Sequence, residues 1–264
     1  MYDGVPPGGA LVPELLALAN RAVGNRWDAP AIELFAGMSI VARGGPVEVC
    51  VDGRCHELAE GDALQIPHPQ PARVAYLAVA GGVDVPPVLG GRGLLLVAGL
   101  GGGVGRALRR GDRLPVSMTP LTPRLAPSSW LDLTARIRVI PGPDRGAFST
   151  DALDALTAST WRVSLQSDRT GIRLDGPRLE RASEDAGVSM PMVRGAIEVP
   201  SGGQPIVLGP DHPTTGGYPV LATVARADLG QFAARRPGAE VRFVLVSVGE
   251  AREAWREWVA RLSG

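Results

Sequence analysis

The chain has 264 residues, 45% of them hydrophobic and 20% charged, and with a mean hydropathy of +0.08 it is a folding chain rather than a disordered one, long enough for one large domain or two of roughly 100–150 residues. Its 27 basic and 27 acidic side chains cancel, so the broad positive field that draws proteins onto phosphate backbones is missing and no nucleic-acid partner is expected. Every basic side chain is Arg and none is Lys, which excludes a P-loop lysine, a Schiff-base lysine and a covalently carried biotin on this chain.

At the N-terminus, MYDGVPPGG shows no basic region followed by an apolar one, so no secretory leader is expected and the chain reads as cytoplasmic. Residues 12–23 predict a helix: Leu15, Leu16, Leu18, Ala19, Ala22 and Val23 approximate one face, and Gly24 is a fitting C-terminal stop. Strands follow at 39–43 and 46–51. In EVCVDGRCHEL (48–58) Asp52 and Gly53 carry the signature of a two-residue hairpin turn, which pairs Val51 with Arg54 and Cys50 with Cys55. That register allows a disulfide or two reduced thiols side by side, and a cytosolic chain favours the thiols. With His56 the pair falls short of the four ligands of a structural zinc site, and no metal site is expected.

A further strand is predicted at 72–80. GLLLVAGLGGGVG (93–105) is too short and too glycine-rich to cross a bilayer, so no membrane partner is expected. Its glycines fit neither GxGxxG nor GxxxxGK[ST], which leaves a structural bend or a loop of amides for an anion. SMTPLTPRLAPSSW (117–130) lacks periodicity and reads as a connector, with the domain boundary near 130: residues 1–130 form one domain and 131–264 the other.

Beyond it, strands are predicted at 136–140, 161–165, 195–200, 205–209, 218–225 and 241–248. Between them lie two polar clusters. SDRTGIRL (167–174) gathers Asp168, Arg169 and Arg173 around Gly171, which suits a surface ion pair or a clamp on a carboxylate or phosphate. DHPTTGGYPV (211–220) packs an acid, an imidazole, two hydroxyls and two glycines between apolar runs, which suits a plain turn or a site for proton transfer and oxyanion binding. A helix begins near Asp228, whose spacing to Gln231 resembles a capping box, and the last helix buries Ala251, Ala254, Trp255, Trp258, Val259 and Leu262. No GxSxG is present, and the only histidines are His56, His68 and His212. The fold class is mainly β. The echo between AGGVDVPPVLGG (80–91) and PSGGQPIVLG (200–209) suggests two similar barrels with a few short helices.

SDRTGIRLDGP (167–177), RGAIEVPSGGQPIVLGPDHPTTGGYPVLATVARADL (194–229), RPGAEVRF (236–243), AYLAVAGGVDVPPVLGGR (75–92) and GGGVGRALRRGDRL (101–114) together resemble the family of the 5-oxoprolinase C subunit. This is also called the biotin-dependent carboxyltransferase family, with KipA-like, allophanate hydrolase subunit 2 and urea amidolyase members. The resemblance implies two tandem cyclophilin-like β-barrels. It implies two partner proteins, a KipI-like B subunit and the oxoprolinase A subunit, and ATP with Mg2+ used in the complex to hydrolyse 5-oxoproline to glutamate. It further implies catalytic roles for Asp211, His212, Thr214, Thr215 and Tyr218. Asp168, Arg169, Arg173, Glu198, Gly216 and Gly217 would bind the small anionic substrate. Regulation of a kinase inhibitor and carboxyl transfer from biotin on another chain are the family's other activities.

Three features depart from the family pattern. The chain opens at MYDGVPPGGA without the preceding T-x-Q-D-x-G-R-like stretch, so the first barrel is expected to be shortened at its start. The usual Gln of A-I-Q-V-P is Glu198, and the usual Gln before T-T-G-G is Pro213. The last two changes each remove an amide that both donates and accepts hydrogen bonds.

Overall fold

In a computed structural model of the chain, which describes residues 4–117, 131–182 and 189–263, short strands dominate and helices are few, as the punctuated apolar runs predict. Two units form. One is Gly8–Leu131; the other is Asp132–Gly264 with the described part of Met1–Pro7. Of the connector expected at 117–130, residues 118–130 lie outside the described residues.

In the first unit a four-stranded antiparallel sheet has the order β1 (Ile32–Leu34), β6 (Ala75–Val79), β3 (Val47–Val51), β4 (Arg54–Leu58), and β2 (Met38–Val41) pairs with β5 (Ala63–Ile66). Asp52 and Gly53 have φ of 48° and 77°, the paired left-handed backbone of a type I′ turn. That turn sets Val51 opposite Arg54 and Cys50 opposite Cys55, as expected. Both thiols are free, Cys50 buried and Cys55 exposed, and burial together with the neighbouring Cys55 pushes the Cys50 thiol up. Leu34, Val49, Leu77 and Val79 form the centre of the core.

Helix α1 (Pro13–Ala22) packs on β6 and β3, with Pro at its start, where no amide partner is lost. Its entry is held by the Tyr76 hydroxyl, which accepts the Val12 amide at 3.0 Å. At its exit Gly24 takes φ of 76°, and the buried Asn25 amide donates to Asn20 Oδ1 (3.0 Å) and the Val79 carbonyl (2.8 Å). β7 (Leu94–Leu95) and β8 (Leu100–Gly101) form a small hairpin. The glycine run is filled by its own chain: a Cβ on Gly101 would sit 2.0 Å from the Gly93 carbonyl oxygen, and one on Gly105 2.5 Å from that of Gly99. Close backbone packing therefore accounts for the glycines.

The second unit is an eight-stranded sheet of β9 (Ile137–Pro141), β10 (Trp161–Val163), β11 (Gly171–Asp175), β13 (Ala196–Glu198), β14 (Ile206–Leu208), β16 (Val220–Val224), β17 (Glu240–Val241) and β18 (Phe243–Leu245). Its order is β17-β10-β11-β14-β13-β16-β9-β18. The two outer strands are halves of one segment divided at Arg242. β17 pairs antiparallel with β10 and β18 parallel with β9, so residues 240–245 bring the ends of the sheet together as a barrel. The seam is stitched by Val163 N–H to the Ala239 carbonyl (3.0 Å) and Ile137 N–H to the Arg242 carbonyl (2.8 Å). Trp161, Ile172, Leu174, Ile197 and Val207 are among the buried side chains.

A separate ladder joins β12 (Met190–Pro191) to β15 (Thr215–Gly216). Helices α2 (Ala152–Ala158), α3 (Leu229–Ala233) and α4 (Val248–Ser263) complete the unit. The capping box expected at Asp228 and Gln231 does not form, because the buried Asp228 carboxylate takes the Arg138 amide (2.7 Å) and guanidinium instead. A reciprocal box does form at α4: Ser247 N–H donates to Glu250 Oε2 (2.7 Å), and Glu250 N–H donates to Ser247 Oγ (3.2 Å). Along α4, Ala254 and Leu262 are buried as expected, whereas Val259 is 38% exposed. Among the described residues no helix is long and apolar enough to cross a membrane.

Candidate functional site

The two polar clusters of the second unit meet. Arg169 and Asp211 form a bidentate pair, Nε to Oδ2 at 2.8 Å and an Nη to Oδ1 at 2.9 Å, with side chains only 15% and 3% exposed. The backbone joins the same two loops, through Asp211 N–H to the Arg169 carbonyl (3.1 Å) and Gly209 N–H to that of Thr170 (2.9 Å). Asp168 is exposed, and its Oδ1 accepts the amides of Thr170 (2.8 Å) and Gly171 (3.0 Å), fixing the turn rather than pairing with an arginine. His212 is fully buried. Its Nδ1 lies 2.7 Å from the Pro213 carbonyl, so Nδ1 carries the proton, and Nε2 finds no partner among the described residues. Asp211 and His212 thus lie beneath the surface, locked into the loop.

Beyond them the chain surfaces. Thr214 is half-buried, Thr215 exposed, Gly216 and Gly217 half-buried and Tyr218 exposed. Thr215 and Gly216 form a strand, opposite Pro191 and Met190 respectively, and the Thr214 carbonyl accepts the Met192 amide at 2.9 Å. That small ladder was not legible in the sequence, since two-residue strands carry no periodic signal.

Strand register assembles the rest of the site. Residues directly opposite on neighbouring strands share a face. Arg173 on β11 lies opposite Ile206 on β14, Ile206 opposite Glu198 on β13, and Glu198 opposite Val220 on β16. The row Arg173–Ile206–Glu198–Val220 therefore runs across four strands on one face, while Ile172, Val207 and Ile197 occupy the other. Exposure falls along it, from an exposed Arg173 through a half-buried Ile206 to Glu198 and Val220, which are only 6% and 5% exposed. The register slips between Ile197 and Glu198, since Ile197 faces Ala222 but Glu198 faces Val220. The extra residue of this bulge is Leu221 on β16, which brings Val220 opposite Glu198. Asp144 accepts the Val220 amide at 2.9 Å and steadies that end of the row.

The ladder of β12 and β15 covers Glu198. A Cβ on Gly216 would lie 2.7 Å from Glu198 Oε1 and 2.9 Å from the Met192 methyl carbon, so glycine is required here for space. Burial pushes the Glu198 carboxyl above its ordinary range. Met192, Ala196, Leu208 and Val220 form an apolar cluster with Met190 packed against it. Among the described residues neither the Glu198 carboxyl nor the Arg173 guanidinium has a hydrogen-bond or ion-pair partner, and no three His, Cys, Asp or Glu side chains converge to hold a metal ion.

Comparison with known proteins gives this arrangement its relatives. A carboxyltransferase domain, subdomain A and B, matches residues 3–245. The C subunit of Escherichia coli 5-oxoprolinase is 38% identical, over 96% of this chain and 86% of its own. That of Haemophilus influenzae is 30% identical, over 96% and 87%. The crystal structure of K. lactis urea amidolyase superposes with a TM-score of 0.81 at 28% identity over 98% of this chain, which spans 18% of that larger protein. The chain belongs to the carboxyltransferase domain (subdomain A and B) family.

Proposed function

We propose that the chain is the C subunit of an ATP-dependent 5-oxoprolinase, working with the B and A subunits of that enzyme to open 5-oxoproline to glutamate. The likeness to two C subunits of 5-oxoprolinases across nearly their whole length supports the assignment. The observation that carries it in this chain is the row on the barrel face, where the unpaired Arg173 and Glu198 flank Ile206. A small anion with an apolar middle fits such a row. The guanidinium holds a carboxylate through paired N–H donors, and Ile206 meets the ring methylenes. Thr214, Thr215, Gly216, Gly217 and Tyr218 line the neighbouring edge with hydroxyls and amides. Asp168, Arg169, Asp211 and His212 fix the loops that present them.

ATP supplies the driving force for opening a stable lactam, and in this reading the nucleotide and its metal ion are bound with the help of the companion subunits. The test is ATP turnover by the co-purified complex with and without 5-oxoproline. Arg173→Ala is expected to lower kcat/KM for 5-oxoproline by about 10- to 100-fold, the loss of a charge-assisted pair. ATP turnover indifferent to 5-oxoproline in the wild-type complex would overturn the assignment. A second reading, carboxyl transfer from biotin on another chain, is favoured by the match to urea amidolyase. It predicts carboxylation of an acceptor by a biotin-bearing partner, with no dependence on 5-oxoproline.

A further inference from the structure

We infer that Glu198 reads an N–H group of the ligand, so that the site selects small carboxylic acids that also carry an unsubstituted amide nitrogen. The inference rests on the reading just given and names what its second anchor recognises. Three features of the chain lead to it. First, the carboxyl of Glu198 is 6% exposed and takes no hydrogen bond from any described residue, although a buried carboxyl costs free energy until a donor meets it. Second, among the described residues no donor side chain is paired with it: β14 presents Ile206, β16 presents Val220, and Gly216 of β15 and the Met192 that follows β12 lie over it. The charged or titratable groups nearby by register and sequence are Arg173, Asp144 and Tyr218. Asp144 is engaged by the Val220 amide, and Arg173 lies two strands away.

Third, a Cβ on Gly216 would lie 2.7 Å from Glu198 Oε1, so only bare glycine backbone lies over the carboxyl there. A buried carboxyl in an apolar wall is an acceptor without a donor, and the register of β11, β14 and β13 places it on the same face as Arg173. Two strand spacings separate the backbones of Arg173 and Glu198 by about 10 Å. Their side chains span that distance towards a ligand a few ångströms long, whose anionic end meets Arg173 and whose N–H meets Glu198. A carboxylic acid without the N–H leaves Glu198 unmet; an amide without the carboxylate, such as urea, leaves Arg173 unmet.

The experiment titrates the co-purified complex calorimetrically with L-5-oxoproline and with its N-methyl derivative, for wild type, Glu198→Gln and Glu198→Leu. The readout is the ratio of the two affinities, which a merely structural role for residue 198 would not move. In wild type the N-methyl derivative is expected to bind about tenfold or more weakly, the loss of a hydrogen bond to a buried acceptor. Glu198→Gln, which keeps an acceptor oxygen, should preserve that preference. Glu198→Leu should bring the ratio to about one. Equal binding of the two compounds by wild type, or an unchanged ratio in Glu198→Leu, would overturn the inference while leaving the oxoprolinase reading in place. A wild-type complex that binds neither compound overturns both.

Discussion

Arg169 and Asp211 illustrate what a single pair does for the site. Both side chains are largely out of water, and they tie the 167–170 turn to the loop that continues into Thr214 and Thr215. Removing one charge strands the other in a poor solvent. Asp211→Asn should therefore lower unfolding stability by about 3 kcal/mol, measured by urea denaturation, and should weaken ligand binding through the loop's loss of order. Glu198 has the opposite balance. Its carboxyl is held above the ordinary value of 4.5 by burial, so the folded chain favours the neutral acid. Below pH 4.5 the group is protonated in both states and costs nothing; as pH rises through its raised folded value, ionisation favours unfolding. Glu198→Gln should accordingly melt at a higher temperature than wild type at about pH 8, with the difference vanishing near pH 4. A residue that costs stability at working pH is one retained for another purpose.

The elements show how unevenly sequence speaks. The hairpin of β3 and β4 was fully legible, down to the facing cysteines, because an Asp-Gly turn leaves only one register open to its strands. The outward Arg173 between inward Ile172 and Leu174 was also written in GIRLD, though the strand was hidden by the polar turn before it, which drew the reading towards a surface loop. The capping box predicted at Asp228 is lost because a distant Arg138 claims its carboxylate, whereas Ser247 and Glu250, at the same spacing, form one. Local rules succeed where no remote charge competes. The ladder of β12 and β15 had no local signal, since its two-residue strands are held by pairing alone, and so the sequence offers Gly216 as a turn or ligand-binding glycine and not as the cover over Glu198. The meeting of Arg169 with Asp211, 42 residues apart, likewise follows only from the order of strands.

At the scale of the whole molecule, a mainly β fold in two units with few helices is what the strand spacing predicts, and the closing of the second sheet is what it does not. That closing depends on one segment, residues 240–245, sharing itself between β10 and β9. The seam amides of Val163 and Ile137 should then exchange with deuterium only when the unit opens as a whole, at the rate of the slowest strands, as measured by native-state hydrogen exchange. Fast exchange at the seam with slow exchange at Ile197 would show that the ring opens locally. A further consequence lies in solution behaviour. A sheet bent round until its two borders are occupied by the same stretch of backbone has no vacant rim on which another polypeptide could extend it. Fibrillar self-association through this sheet must first break that ring.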